Sequence, residues 1–292
     1  MSPADKHVVR HGETADGVFE LVVTPESAGW GYSSLRVLDL PAGGSATFAT
    51  GEDETIVLPL SGSCVVSVDG QEFSVKGRRG VFTRVTDFAY APRDAEVTVS
   101  STAGGRFALP AARASRRLPA RYGPAEGVQV ELRGAGQSSR QVNNFCTPAT
   151  FDADRLIAVE VLTPESNWSS YPPHKHDEAR EGEARLEEIY YFEVADGGPG
   201  FQRVYTSGPG REIDVCAEVR SGDTVLIPHG WHGPSMATPG YHLYYLNVMA
   251  GPDPERAWLI CDDPAHGWVR DTWASQEMDP RLPLTTTTEA DQ

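Results

Sequence analysis

Two histidines one residue apart, His174 and His176 in "YPPHKHDEAR", are spaced to share a metal ion. Residues i and i+2 of a strand point to the same face, so both imidazoles can project inward from one extended segment. A metal needs more than two ligands, and neighbouring strands must supply the rest. Glu187 and Glu188 open the strongly β-type run "RLEEIYYFEV"; their side chains face opposite ways, so only one can join the site. His229 and His232 follow in the Pro-Gly turn "IPHGWHGP", before the strand "YHLYYLNVMAG". Three histidines and one Glu from three strands leave one or two coordination positions open, as a catalytic metal requires. Singly, each has an ordinary explanation as a solvated loop, a strand edge or a packed core imidazole. Their order within one β-unit makes the case, and six of the eight histidines lie from position 174 onward.

The elements that must position these residues are short strands. Runs such as "SLRVLDL", "ETIVLPL", "LIAVEVLTP", "EIYYFEV" and "DTVLIP" are rich in Val, Ile, Tyr and Phe and are bounded by turn residues. With 29 Gly and 22 Pro, the pattern is all-β, a sandwich or barrel. Short helical turns are expected near 253–259 and 271–276. The halves resemble each other, "ETIVLPLSGSCVVSVDG" matching "EEIYYFEVADGGPGFQRVY", with a period of roughly 130 residues that implies two copies of one β-unit. The Ala-, Pro- and Arg-rich segment 109–127 has the composition of a joint. The expected division is 1–120, 121–280 and a disordered tail at 281–292. The first copy has "TGEDETIVL" and "DFAYAPRD" where the histidines should stand, so it keeps Glu54 but has no metal partners, and one metal per chain is inferred.

At 292 residues the chain can bury a sizeable core. A formal net charge of −16 disfavours nucleic acid and anionic membrane surfaces as partners. Four scattered cysteines with no CxxC pair read as reduced thiols, and a polar N-terminus without an apolar signal core reads as a cytoplasmic, soluble protein.

The order HxH, Glu, then His after a P-x-G turn resembles the cupin signature, which implies an all-β bicupin of two tandem cupin-type barrels. Glu188 is then assigned as the acidic ligand. His232 is assigned over His229, which lies inside the turn and should point away from the barrel. "SSRQVNNFC", "NWSSYPPHKHD", "LEEIYYFEV" and "GYHLYYLNVMAGP" resemble the 5-deoxy-glucuronate isomerases of myo-inositol catabolism, relatives of the 4-deoxy-5-ketouronate isomerases. The resemblance runs from about residue 15 to 275 and is densest between 137 and 252. The chain departs from the general cupin pattern in a charged insertion, "DEAREGEARLE", between His176 and the Glu.

The resemblance implies conversion of 5-deoxy-D-glucuronate, an aldose acid, to the ketose acid 5-dehydro-2-deoxy-D-gluconate. One divalent ion, zinc first with Mn or Fe(II) as alternatives, would polarise the vicinal oxygens. A base must carry the proton between adjacent carbons, and Glu187, Tyr190, Tyr191 and His229 are the candidates. The substrate carboxylate needs a cation in an acidic protein: Arg140 first, then Lys175 and Arg203, although Lys175 should face outward. The expected partner is an anionic sugar acid, and the expected assembly a homo-oligomer. A cupin dioxygenase using the same ligands with Fe(II) and oxygen, or a non-catalytic sugar-binding cupin, are the rival readings.

Overall fold

The computed structural model describes residues 5–288. Strands dominate it; the only α-helices among the described residues are Pro25–Ala28 and Val269–Thr272. The second of these falls at one expected helical turn, whereas 253–259 is irregular. Among the described residues no helix is long and apolar enough to cross a membrane.

Three large sheets build two cupin-type barrels. In the first half, the long strand Asp53–Val68 pairs with Gln71–Arg78, Phe88–Ala91, Glu96–Ser101 and Gly105–Arg113. In the second half, Glu187–Val194 lies between Thr224–Ile227 and Leu243–Ala250 in a seven-stranded sheet. Facing it is a six-stranded sheet that contains Gly200–Tyr205, Trp231–Ala237 and His174–Lys175. Val204, Val215, Val219 and Ala237 of this sheet pack on Ile157, Val159, Phe192 and Tyr245 of the other, forming the core of the second barrel.

The seven-stranded sheet is covered on both faces, which is why its strands read as continuous apolar runs without polar alternation. Its outer face carries Ile189, Tyr191, Tyr244, Leu246 and Val248 into a cluster with Leu35, Ile56, Leu58 and Tyr90 of the first half. Along Glu187–Val194 the side chains alternate. Glu188, Tyr190 and Phe192 face the second barrel, while Ile189 and Tyr191 face the first.

The halves interlock more than the sequence suggests. Val8–Val9 pairs with Thr224–Ile227 of the second barrel, so this strand does not belong to the first. The segment read as a joint is partly structured: Leu109–Arg113 lies in the strand Gly105–Arg113, and Arg121–Gly123 pairs with Phe88–Ala91. Burial decides this, since Leu109, Ala111 and Ala112 are 0–4% exposed and the small residues fit a tightly paired strand. The tail expected to be disordered from 281 docks instead. Thr285 is buried and exchanges hydrogen bonds with Gln141, and Thr286 O accepts from Val85 N at 2.8 Å. Residues 289–292 lie outside the described residues.

Candidate metal centre and substrate pocket

His174 and His232 sit opposite each other on paired strands of the six-stranded sheet, and Glu188 reaches across from the seven-stranded one. His176 follows His174 on the same face. A potential ligand atom from each of His176, Glu188 and His232 lies within 4.8 Å of the others, and all three residues are buried. Glu188 Oε2 is 3.0 Å from His176 Nε2 and 3.1 Å from His232 Nε2. The second of these distances lacks hydrogen-bond alignment, which leaves His232 Nε2 a buried nitrogen with no bonded partner. His174 stands beside this triad, its ring centroid 4.4 Å from that of His232 and 6.3 Å from that of His176. It falls outside the tight three-atom group.

The backbone orients all three imidazoles alike. Nδ1 of His176 is 3.1 Å from the Leu186 carbonyl, Nδ1 of His232 is 3.0 Å from that of Gly230, and Nδ1 of His174 is 3.5 Å from that of Pro172. A proton on each Nδ1 donated to a carbonyl leaves the Nε2 lone pair free, the tautomer that metal-binding histidines adopt. Burial and the two neighbouring imidazoles hold His174 well below the ordinary histidine range, so it stays neutral. Burial would raise the Glu188 carboxyl, but the adjacent His176 and His232 rings outweigh it and bring it down to about 2. Three lone pairs beside a carboxylate that stays ionised form a donor set suited to a divalent cation. Close backbone approach holds the floor of the site: a Cβ on Gly233, at φ +106°, would lie 1.8 Å from Ser170 O.

His174 and Glu188 open onto an inner cavity of about 30 Å³ that is also lined by Arg140, Tyr190, Tyr245 and Asn247, among others. Its walls Arg133, Trp258, Ile260 and Arg270 are shared with an outer cavity of about 390 Å³. Ser170 Oγ is 3.0 Å from both the Tyr190 and Tyr245 hydroxyls, and burial keeps both phenols protonated. Arg140 is 5% exposed, donates to the Ser138 carbonyl at 3.1 Å and makes no ion pair with any described residue. Burial, together with the neighbouring Arg133 and Arg270, lowers its guanidinium to about 10. Arg133 is neutralised by Glu131, and Arg270 by Asp262.

Several expected site residues are elsewhere. Glu187 faces away from the cavity and accepts from the backbone N–H groups of Gly31, Tyr32 and Ser33 at 2.8, 2.8 and 3.0 Å, which leaves no free carboxylate for proton transfer. Tyr191 points between the barrels, where its hydroxyl bonds Glu193 and Arg106. His229 stays in its turn, half-buried near Arg211 and Glu212, and is absent from the cavity wall. Lys175 faces outward and pairs with Asp177 and Glu183 at 2.7 Å each. Arg203 pairs with the exposed Asp214. The insertion between His176 and Glu188 is a hairpin, Asp177–Arg180 against Glu183–Arg185, held by that lysine network. Sequence reasoning missed Ser170, Tyr245, Asn247, Trp258, Arg133 and Arg270. For Tyr245 and Asn247 the signal was present, as residues of one parity on a strand paired to Glu187–Val194.

The sequence pattern of the KduI/IolB family matches residues 7–269. The chain belongs to that family. Among its relatives, a 5-deoxy-glucuronate isomerase of Geobacillus kaustophilus is 42% identical over 255 residues, covering 86% of this chain and 90% of the relative. The 5-deoxy-glucuronate isomerase of Bacillus subtilis strain 168 is 38% identical over 264 residues, covering 88% and 95%. An IolB-like protein of Salmonella typhimurium LT2, known by crystal structure, superposes with a TM-score of 0.83 at 34% identity, covering 90% of this KduI/IolB chain and 98% of that one. An oxalate decarboxylase of Bacillus subtilis shares the fold at a TM-score of 0.59 and 11% identity, over 88% of this chain and 79% of its own.

Proposed function

We infer that this KduI/IolB protein is a 5-deoxy-glucuronate isomerase, an aldose–ketose isomerase that converts 5-deoxy-D-glucuronate to 5-dehydro-2-deoxy-D-gluconate. The observation that carries the reading is that Glu188, a member of the His176/Glu188/His232 cluster, lines one cavity with His174 and a buried cation without an anionic partner, Arg140. An aldose acid needs both: oxygen-binding at its reacting end and a countercharge for its carboxylate.

His176, Glu188 and His232, with His174 beside them, are the residues proposed to hold one divalent ion. The buried unpartnered Nε2 of His232 supports the fit. Zinc is the first choice, with Mn or Fe(II) as alternatives that the ligand types also suit. When bound, such an ion supplies Lewis-acid polarisation of the substrate's vicinal oxygens. The chain's own residues do the rest. Arg140 anchors the carboxylate through its guanidinium, which has no internal anion to give up first. Tyr190 and Tyr245, held protonated by burial, donate to substrate oxygens and do not remove the C2 proton. The proton leaves C2 to a base, the C–H pair becomes the C1–C2 double bond, and the carbonyl pair moves onto O1. Protonation at C1 and passage of the O2 proton to O1 yield the ketose with no net change in protons or electrons. Of the four expected bases, only Tyr190 lies on the cavity wall.

The first barrel is proposed as a metal-free scaffold, and the reaction as a cytoplasmic step of myo-inositol breakdown carried out by a homo-oligomer. An anaerobic assay on 5-deoxy-D-glucuronate, with metal analysis of the same sample, tests the reading. Turnover without oxygen supports it. Turnover only with oxygen consumption would place the protein among the dioxygenases, and none under either condition would leave a binding protein.

A further inference from the structure

Six side-chain amides are buried among the described residues: Gln141, Asn143, Asn144, Asn167, Gln202 and Asn247. Five have side-chain partners. Gln141 bonds Thr285, Asn143 bonds Glu160, Asn144 bonds Glu131, Asn167 bonds Ser139 and Asp279, and Gln202 accepts from Ser235. Asn247 differs. It is 3% exposed, makes no side-chain hydrogen bond, and its Nδ2 is buried without a partner. A buried amide left unpaired costs free energy that every other buried amide here avoids.

The location of Asn247 gives the cost a purpose. On Leu243–Ala250 it is the cross-strand partner of Tyr190, and the neighbouring pair on the same face is Met249 with Glu188. Its side chain lines the inner cavity with Glu188, His174 and Arg140. The Asn247 amide approaches the Tyr190 hydroxyl, yet no aligned hydrogen bond joins the two.

We propose that Asn247 contacts the substrate: Nδ2–H donates to the C1 oxygen and stabilises the negative charge that gathers there as the C2 proton leaves. This rests on the isomerase reading above. A preorganised donor in a dry site favours the charged transition state over the neutral aldehyde, so its loss lowers kcat more than it raises KM.

The test compares wild-type holoenzyme with Asn247→Leu and Asn247→Ala, measuring kcat, KM, metal content and Tm. Expected are a fall in kcat of about 10²–10³-fold, KM changed by less than about threefold, full metal content, and a Tm equal to or above wild type for Asn247→Leu. The Tm carries weight because removing an unpaired buried amide does not destabilise, whereas removing a structural one does. A five-carbon aldonohydroxamate, whose paired oxygens mimic the enediolate, should bind Asn247→Ala more weakly than wild type by calorimetry. An active wild type matched by Asn247→Ala in kcat, or a Tm several degrees lower in both variants, overturns this inference alone. A wild type that does not turn over 5-deoxy-D-glucuronate overturns the isomerase reading and this inference with it.

Discussion

Glu54 of the first barrel accepts hydrogen bonds from three consecutive backbone N–H groups of the second, those of Asp154, Arg155 and Leu156, at 2.8, 2.6 and 2.8 Å. Glu187 of the second barrel does the same to Gly31, Tyr32 and Ser33 of the first, at 2.8, 2.8 and 3.0 Å. Aligning "ETIVL" on "EEIYY" puts Glu54 opposite Glu187 and Thr55 opposite Glu188. The acid retained in the first copy is therefore the equivalent of the clamp residue and not of the ligand. Each barrel pins three N–H groups of its partner through the same strand position. Replacing either clamp with Gln puts an NH₂ where an acceptor is needed, with an expected cost of about 2–4 kcal/mol. Thermal melts of Glu54→Gln and Glu187→Gln should show Tm lowered by several degrees, while metal content and kcat at low temperature stay near wild type. Loss of metal from Glu187→Gln would return that residue to the ligand set.

The ligand set and the Tyr190 hydroxyl separate in a paired measurement of metal and rate. Glu188→Gln and His232→Ala should lose metal and turnover together, because each removes one corner of the 4.8 Å cluster. Tyr190→Phe should keep its metal and lose turnover by about 10-fold or more, as removal of a positioned proton donor does. A His232→Ala protein that retains full metal would sink the assignment.

Arg140 is the buried cation without an internal anion, so its removal should be felt in substrate binding. Arg140→Met is expected to lower kcat/KM by about 10–100-fold, equivalent to about 1.5–3 kcal/mol for charged hydrogen bonds. Most of the change should appear in KM. Arg140→Lys should recover part of it, because charge returns without the planar fork. Arg203→Met, outside the cavity, serves as the control with unchanged KM.

Acid sensitivity should appear where the first barrel hands over to the second. The Asp154 carboxylate accepts from the Ser115 N–H and hydroxyl and from the Arg116 N–H and guanidinium. Burial would raise its pKa, but these bonds bring it from 3.8 to about 2. A depressed folded-state value means the bonds contribute fully above about pH 4 and are lost as pH falls toward 2. Wild-type Tm should therefore drop faster across that window than the Tm of Asp154→Asn. Equal slopes would show that Asp154 titrates alike in the folded and unfolded chain.

Much of this protein was legible along the chain because it depends on short-range geometry. The two-residue period of a strand put His174 and His176 on one face, and it separated Glu187 from Glu188 before either had a partner. Apolar runs bounded by Gly and Pro marked the strands, and the resemblance of the halves marked the two barrels. What needed the tertiary structure was decided by contacts between residues far apart in sequence. Only the packing of the first barrel on the outer face of the second carries Glu187 and Tyr191 away from the cavity, since parity alone does not say which face is the site. Only the fold leaves Arg140 without a carboxylate among the described residues of a chain with 41 acidic residues, while giving Arg203 and Lys175 theirs. The amide of Asn247 belongs to the same class. Its lack of a partner is a property of everything around it, because whether a polar group is satisfied depends on which atoms the folded chain brings within hydrogen-bond distance.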